Sequence, residues 1–278
     1  MPDKLIDLHM HTVYSDGRYT PTATVEYASE KQLSAISITD HDSFDGLPEA
    51  AIRAKELGIE LINGIELSCT HEESDIHMLA YFVDPLYHPL SDKVKYYQDE
   101  RLKRGLLIVQ KLNEMGIDLR IETVKTMAGS GAVGRVHVAD ALVKEEYVHT
   151  FDEAFNRFLG YHAPAYVPKT FFDPVEAISL VHDAGGIVVM AHPGTARRDD
   201  AIPYLAEIGM DGIEVFHSKH SPAQVRHYKA VAEKHKLLIS GGSDWHGRND
   251  PRADMGNQKV PYVILSRMRD YLASRKST

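Results

Sequence analysis

The sequence has little cysteine and no long apolar run. Its 278 residues include a single cysteine, Cys69, which excludes an internal disulfide and favours a reducing, cytoplasmic setting. No stretch reaches the roughly 18 consecutive apolar residues of a membrane-spanning helix, so we expect no membrane span. The opening residues, MPDKLIDLHMH, lack the apolar core of a secretory signal peptide, and this also predicts a cytoplasmic protein.

The sequence also lacks an excess of positive charge. Its 31 Lys and Arg residues against 40 Asp and Glu residues leave a formal net charge of −9. This argues against a broad, sequence-independent nucleic-acid surface, which needs basic side chains. It does not exclude a small phosphorylated ligand, because bound divalent cations reverse the local field. Histidine, by contrast, is abundant, with 16 residues, and its placement is informative.

Short apolar runs alternate with helical patterns along most of the chain. Strands are predicted at 4–9, 34–41, 59–67, 76–83, 186–192, 211–216 and 237–244. Helices are predicted between them at 20–32, 46–58, 173–184, 199–208 and 221–235. This alternation predicts an α/β protein with a mostly parallel sheet or barrel. The final segment, YVILSRMRDYLASRK, fits either a short strand followed by a helix or one helix.

The alternation stops in the middle of the chain. Leu102, Leu106 and Val109 have helical spacing, and no strand pattern interrupts the residues that follow them. Helices are predicted here at 91–115, 121–128, 135–143 and 151–159. We therefore predict a helical insertion at 86–165 that caps a barrel formed by residues 1–85 and 166–278.

Histidine and carboxylate residues gather at or near the ends of six predicted strands. They are His9, His11, Asp16, His41, Glu66, His77, His192, Asp244 and His246. Each alone has an ordinary explanation, such as a turn, a helix cap or a hydrogen-bonded core histidine. In a closed βα barrel, however, the C-terminal strand ends converge on one face, where active sites lie. Together these residues predict a metal site at that face.

The donor set combines imidazole with carboxylate and contains no thiolate. This favours Mn, Fe or Zn in a catalytic centre over a structural, cysteine-rich zinc site. Nine ligands exceed the needs of one ion, and Glu66 could bridge two ions in a multinuclear centre.

Six motifs in order, DLHMHTVYSDG, ITDHD, NGIELS, IHMLAYF, MAHPG and GGSDWHG, resemble the PHP (polymerase and histidinol phosphatase) family over essentially the whole chain. Asp16, the TDHD form and the insertion resemble the subgroup that includes nucleoside 3′,5′-bisphosphate phosphatases and an RNA 5′-end exonuclease. The resemblance implies a distorted seven-stranded βα barrel with three divalent metals.

The resemblance also implies which residues hold each metal. The first set is His9, His11, Glu66 and Asp244, the second is Glu66, His77 and His192, and the third is Asp16, His41 and His246. Asp40 has no place among the ligands and would orient one of them. The residues expected to act most directly in catalysis are Asp16, His41, Arg135 and His192.

Substrate contacts are expected mainly from the insertion. Arginines of the subgroup at places resembling Arg101, Arg104 and Arg135 face the phosphates, and Arg135 begins a helix whose free N–H groups favour a phosphate. The alternative for Arg101 and Arg104 is a solvated helix face. His217 and His220, just past a strand end, either contact substrate or are surface histidines.

The function that these observations predict is hydrolysis of the 3′-phosphate of a nucleoside 3′,5′-bisphosphate by a metal-bridging hydroxide, since metals lower the pKa of bound water to about 7. The alternatives are 5′-3′ exonuclease activity on short 5′-phosphorylated RNA, a histidinol-phosphate-type phosphatase, and a non-catalytic scaffold in a polymerase assembly. The scaffold is less favoured because every expected ligand is present. The predicted partner is a small phosphorylated nucleotide or short RNA end, and the oligomeric state is left open.

Overall fold

The computed structural model describes residues 4–72, 74–129, 131, 133–170, 172–248 and 250–275, so the outermost residues of the predicted barrel segments lie outside the described range. Within this range, eight strands form one sheet with the order β7-β6-β5-β4-β3-β2-β1-β8. The strands are β1 Leu5–Met10, β2 Ala35–Ile38, β3 Glu60–His71, β4 Ser74–Tyr81, β5 Ile187–Met190, β6 Gly212–His217, β7 Leu238–Gly242 and β8 Val260–Pro261.

The sheet is a nearly closed barrel of mostly parallel strands, as the alternation predicts. β4 runs antiparallel to both β3 and β5, so its first residues lie at the end where the parallel strands finish. The predicted strand count of seven is corrected to eight, because Leu5 and Ile6 of β1 pair with the two-residue strand β8. The C-terminal segment therefore forms a short strand followed by a helix.

The barrel nearly closes where the chain beyond β7 meets β1. Asp244 N donates to His9 O at 2.9 Å, and His11 N donates to Trp245 O at 2.8 Å. Gly242 permits this approach, because a Cβ on it would lie only 2.4 Å from His9 N. The first and last metal-ligand motifs are thereby joined through the backbone.

One strand boundary differs from its prediction in a way that affects the site. Glu66 does not end a strand, because β3 continues to His71 and pairs with β4 as far as Ser74. Residues 68–71 are polar or small and carry no clear strand pattern, but pairing with β4 satisfies their backbone groups. Glu66 therefore lies in the interior of a long strand, and β3 and β4 project beyond it.

Several helices of the barrel begin with recognisable side-chain caps. Thr20 accepts a hydrogen bond from Ala23 N at the start of the first helix, and Ser221 and Gln224 form a capping box at the start of the helix Pro222–His235. The first two helices are α1 Pro21–Glu30 and α2 Leu47–Leu57. Helix α3, His88–Glu114, leads out of the barrel into the insertion.

The insertion, called the cap below, has its own hydrophobic cluster. After α3 it contains α4 Ile121–Ala128, α5 Arg135–Lys144, α6 Phe151–Ala154 and a π-helical turn at Phe155–Leu159. Buried residues from Ile108 to Val167 form this cluster, whereas Leu90, Val94 and Tyr97 in the first half of α3 pack into the barrel core. One long helix thus spans both cores. The boundaries at 86 and 165 stay predictions.

The chain returns to the barrel after the cap and completes it with further helices. They are α7 Pro174–Asp183, α8 Pro193–Ala196, α9 Ala201–Glu207, α10 Pro222–His235 and α11 Val263–Arg275. None of the helices in the described ranges combines the length and apolar character that crossing a membrane requires.

Candidate functional site

The centre of the candidate site is the carboxylate of Glu66, which is fully buried. Its Oε2 lies 3.2 Å from His9 Nε2 and 3.1 Å from His11 Nε2. Asp244 Oδ1 lies 3.2 Å from His11 Nε2 and 3.4 Å from His9 Nε2. His9 and His11 reach the same point because strand residues two apart face the same side. These four residues are the first predicted ligand set, and their ligand atoms lie within 4.8 Å of one another.

The second predicted set surrounds the other oxygen of Glu66. Oε1 lies 2.9 Å from His77 Nδ1 and 3.0 Å from His192 Nε2. His77 reaches this point because β4 is inverted, which brings its first half to the ligand-bearing end of the barrel. His41 Nδ1 lies 3.2 Å from Oε2 of the same carboxylate, so His41 also borders this set.

The third predicted set lies beside the first. His246 Nε2 is 3.1 Å from Asp16 Oδ1, and His41 Nε2 is 3.9 Å from Asp16 Oδ2. His11 adds to the predicted trio, because its ring stacks on that of His246 with centroids 4.2 Å apart. All nine residues named from the sequence therefore belong to one connected cluster.

The cluster fits divalent metal ions. His11 Nε2, His41 Nδ1 and His77 Nδ1 are buried without a hydrogen-bond partner among the described residues, although each is close to a Glu66 oxygen. Buried polar atoms in native proteins are almost always hydrogen-bonded or bound to an ion. The convergence of unpartnered ring nitrogens and carboxylates on common points is what divalent ions would satisfy.

Hydrogen bonds on the outer side of three ligand histidines leave their Nε2 atoms available for a metal. His9 Nδ1 is 3.0 Å from Glu214 Oε1, His192 Nδ1 is 2.9 Å from Thr195 Oγ1, and His246 Nδ1 donates to Asp244 O at 2.8 Å. A proton on each Nδ1 puts the free lone pair on Nε2, toward the cluster.

Glu214 is a functional residue that the sequence reasoning missed. Its Oε2 accepts a hydrogen bond from His192 N at 2.8 Å while Oε1 binds His9, so one buried carboxylate positions two ligands. The signal was present in GIEVF, where an acidic residue interrupts an apolar strand. A charged side chain in such a strand needs a buried partner.

Burial and mutual attraction oppose each other in the ionisation of the cluster. Burial favours the neutral form of Asp16, but His246 and His41 outweigh it and hold the pKa well below its usual value. The pKa of Glu66 is likewise held low, against burial, by His41 and His9. Burial holds the pKa of His41 well below its usual value, although the carboxylates of Glu66 and Asp16 act in the opposite direction.

The two aspartates of TDHD have different roles. Asp40 accepts hydrogen bonds from Thr12 N at 2.7 Å and Ser15 Oγ at 2.6 Å, and Ser15 Oγ is 3.3 Å from His11 Nδ1. This position matches the predicted orienting role. Asp42 caps no helix, as α2 begins only at Leu47, and instead accepts a hydrogen bond from Arg101 Nε at 2.7 Å.

Backbone strain is concentrated at the site. Asp42, His192 and Asp244 have positive φ angles of 49°, 28° and 56°, which side-chain-bearing residues rarely adopt. Such strain persists where surrounding contacts fix the conformation, commonly at functional sites.

A cleft of about 320 Å³ connects the cluster to the cap. Its barrel side includes Asp16, His41, His77 and His192, and its cap side includes Arg101, Arg104 and Arg135. We call it the phosphate cleft. The three arginines named from the sequence therefore lie around the same space as the metal-ligand cluster.

The three arginines differ in how much of each guanidinium is already bound. Arg101 is held by Asp42 and donates to Ser68 Oγ at 2.8 Å. Arg104 donates from Nε to Val167 O at 2.8 Å, but one of its terminal nitrogens is buried without a partner among the described residues. Such an orphaned donor is suited to an anion in the cleft.

Arg135 lies at the first position of α5, as predicted. Its guanidinium donates to Leu159 O at 3.3 Å and lies 5.8 Å from the Phe155 ring centroid. Gly134, Arg135 and Val136 all border the phosphate cleft, so the start of α5 faces it. A helix N-terminus with free N–H groups favours an anion there.

Lys169 also lines the cleft and was missed in the sequence. Burial, followed by repulsion from Arg101, lowers the pKa of its ammonium to about 7. The segment VPKT follows the cap without any motif, and only the fold brings it beside the arginines.

His217 and His220 do not line the phosphate cleft. His217 Nε2 is 3.3 Å from Asp244 Oδ2, so it supports a ligand. His220 uses both ring nitrogens within the protein, with Nδ1 3.0 Å from Val215 O and Nε2 accepting from Gly194 N at 3.1 Å. Substrate contact by either histidine stays a prediction.

Comparison with known proteins agrees with this geometry. A model of the PHP domain matches residues 7–159. The chain belongs to the PHP family. It is 33% identical over 271 residues to the 5′-3′ exoribonuclease Rnm of Escherichia coli, covering 95% of this chain and 88% of the relative. It is 30% identical over 260 residues to a 3′,5′-nucleoside bisphosphate phosphatase of Chromobacterium violaceum, covering 91% and 90%.

Two solved structures share the fold. A candidate metal-dependent phosphoesterase of Bifidobacterium adolescentis superposes with a TM-score of 0.87 at 32% identity, covering 96% of both chains. A structure described as an amidohydrolase from Chromobacterium violaceum, with bound sulfate and no metal, gives a TM-score of 0.83 at 29% identity, covering 94% and 96%. This PHP protein is a metal-dependent phosphoesterase, a hydrolase that acts on phosphate esters.

Proposed function

We propose that this PHP protein removes the 3′-phosphate from nucleoside 3′,5′-bisphosphates. The observation that carries the proposal is the phosphate cleft, where the metal-ligand cluster and Arg101, Arg104, Arg135 and Lys169 border one space. A substrate with two phosphates suits a site that has a reactive centre at one end and additional cations at the other.

The metal-ligand cluster would hold three divalent ions, and Mn, Fe and Zn suit its imidazole and carboxylate donors. Its ligands would be distributed in the three sets given above, with Glu66 shared between two of them. The ligand atoms that converge in the structure also bring His11 to the third set and His41 beside Glu66 and His77. When bound, the ions lower the pKa of water and neutralise phosphate charge.

The cap side of the cleft would bind the 5′-phosphate. Arg104 offers a buried nitrogen without a partner among the described residues, and Arg135 combines its guanidinium with the N-terminus of α5. Asp42 holds Arg101 in place, so Arg101 is positioned before substrate arrives. Charge-assisted hydrogen bonds of this kind are about twice as strong as neutral ones.

In the reaction, water adds to phosphorus and the O3′–P bond breaks. O3′ keeps the bonding electron pair and takes up one proton of the water, while the oxygen of the water and its second proton stay on the released phosphate, which leaves as hydrogen phosphate. Asp16, His41 and His192 border the cleft and hold the reactive end in place, and Arg135 fixes the substrate relative to it.

A second candidate is stepwise cleavage of 5′-phosphorylated RNA from its 5′ end. The 33% identity to the Escherichia coli exoribonuclease favours it. The chemistry is shared, because both substrates carry a 5′-phosphate and both reactions break the O3′–P bond. With RNA the released phosphate remains attached to the shortened strand.

The test is to load the purified protein with Mn, Zn or Fe, determine its metal content, and supply adenosine 3′,5′-bisphosphate. We expect about two to three metals per chain, because the number of donors suits a multinuclear centre. We also expect release of adenosine 5′-monophosphate and inorganic phosphate. A protein with its metals bound that releases neither product would exclude the proposed reaction.

We also propose a cytoplasmic location and a small nucleotide or RNA end as partner, without a broad nucleic-acid surface. The single cysteine is buried and unpaired, and the formal charge of −9 disfavours extended contact with phosphates.

A further inference from the structure

The metal-ligand cluster is also accessible from a second cavity. This cavity has a volume of about 250 Å³ and shares only Asp16 and Val136 with the phosphate cleft. It reaches the cluster at Asp244 and His246, two ligands that do not line the phosphate cleft. We call it the distal cavity. The cluster therefore lies between two separate spaces.

The wall of the distal cavity that faces the cluster combines an aromatic ring with positive charge. The guanidinium of Arg248 lies over the ring of Phe151 in α6, 4.9 Å from the ring centroid. Lys219 is exposed on the same wall. An aromatic ring combined with Arg is the usual platform for a nucleic-acid base and its phosphate.

The acidic groups near this wall already have partners. Asp250 lines the cavity but accepts hydrogen bonds from Arg252 Nε and a terminal Arg252 nitrogen, each at 3.1 Å. Asp140 forms an ion pair with Arg248, but the 3.8 Å between its carboxylate oxygen and the guanidinium is too long for a hydrogen bond. Among the described residues, the guanidinium of Arg248 therefore keeps donors for a ligand phosphate.

A phosphodiester explains why two spaces meet at one reactive centre. A phosphate monoester carries one nucleoside and needs one binding space beside the metals, whereas a diester carries a nucleoside on each side of the phosphorus. We propose that the distal cavity binds the nucleotide on the 3′ side of the scissile phosphate of a 5′-phosphorylated oligonucleotide, with Phe151, Lys219 and Arg248 as its contacts. This inference rests on the proposed function in its second form, cleavage of 5′-phosphorylated RNA at the same metal-ligand cluster.

The step is the one described above with a second ester on phosphorus. Water adds to phosphorus, the O3′–P bond breaks, and O3′ takes up a proton. The products are a nucleoside 5′-monophosphate in the phosphate cleft and a shortened strand in the distal cavity, whose new 5′-phosphate contains the oxygen of the water.

The experiment compares two probes on the metal-loaded protein. Adenosine 3′,5′-bisphosphate occupies only the phosphate cleft, and 5′-phosphorylated diadenosine occupies both spaces. The measured quantity is the ratio of kcat/KM for the dinucleotide to kcat/KM for the bisphosphate. Arg157→Ala is the matched control, because Arg157 is an exposed cap arginine paired with Glu153 and borders neither cavity.

We expect Arg248→Ala to lower this ratio at least about fivefold, mainly by raising KM for the dinucleotide. About fivefold is the lower end of what one base-stacking contact contributes. Phe151→Leu should lower it similarly and Phe151→Tyr should restore it, whereas Arg157→Ala should leave it within about twofold. General damage to the protein lowers both reactions together and leaves the ratio unchanged.

Two results overturn the inference without affecting the proposed function. One is a wild-type protein that hydrolyses the bisphosphate but not the dinucleotide. The other is an unchanged ratio in both Arg248→Ala and Phe151→Leu. A wild-type protein that hydrolyses neither probe instead contradicts the proposed function itself.

Discussion

The barrel and the cap contribute to the same cleft in different ways. The barrel supplies ligands from strands and strand ends whose backbones are joined, so that Asp244 and His9 are linked by a hydrogen bond of 2.9 Å. The cap supplies arginines from helices around a separate hydrophobic cluster. The reactive centre is therefore built into the sheet, whereas the proposed substrate contacts depend on how the cap packs against the barrel.

Removal of a metal ligand from the barrel should reduce hydrolysis more than any other substitution considered. Asp244→Ala should lower metal content and reduce hydrolysis by well over about tenfold, because loss of a charged ligand costs well over about 1.4 kcal/mol. Metal analysis and kcat/KM on the bisphosphate measure this, with circular dichroism to check the fold. The control is Asp270→Ala, at an exposed position on α11. A metal-loaded Asp244→Ala protein with more than about a tenth of wild-type activity would refute the assignment.

A smaller effect on the same side is expected from Glu214→Gln. The amide keeps the shape of the carboxylate but loses the charge that supports His9, so metal affinity should fall by about 10- to 100-fold, as for other groups that orient metal ligands. Titration with Mn or Zn measures it. Excess metal should restore most of the activity, and a variant that excess metal does not rescue would show a different role.

Substitution of a cap arginine should leave the metals in place. We expect Arg135→Ala to lower kcat/KM at least tenfold, about 1.4 kcal/mol, with unchanged metal content. A rise in KM alone indicates contact with the non-reacting 5′-phosphate, and a fall in kcat indicates contact with the reacting group. Arg135→Lys should rescue only part of the loss, because ammonium lacks the bidentate fork. Unchanged kinetics for Arg135→Ala, with Arg157→Ala as control, would disprove the contact between Arg135 and a substrate phosphate.

The smallest predicted effect is a change in substrate KM with pH, caused by Lys169. Burial, followed by repulsion from Arg101, lowers the pKa of Lys169 to about 7. Its side chain is therefore a charged ammonium below that pH and a neutral amine above it. KM for a 5′-phosphorylated substrate should therefore rise by up to about tenfold between pH 6 and 8, the size of one charge-assisted hydrogen bond. Lys169→Arg should abolish the rise, and a nucleoside 3′-monophosphate should not show it. The same rise with that substrate would exclude Lys169 as its cause.

The barrel side was predicted from the sequence much more completely than the cap side. Polar residues at and near the ends of apolar runs indicate the nine cluster residues, whereas the three cap arginines were named only through the family resemblance, supported for Arg135 by the start of a helix. Glu66 was misplaced at a strand end, because the pairing of residues 68–71 with β4 has no signature in the local pattern. Glu214 was missed, although its charge within an apolar strand was visible.

The sequence by itself determined the chemistry of the centre: imidazole and carboxylate without thiolate, at and near strand ends that a βα barrel must bring to one face. The tertiary structure alone decided which side chains face the cleft. It brought Lys169 beside the arginines, engaged His220 within the protein, and opened a second space next to His246. The physical reason is that ligands follow the local periodicity of a strand, whereas the surroundings of a cleft depend on packing between segments distant in the chain.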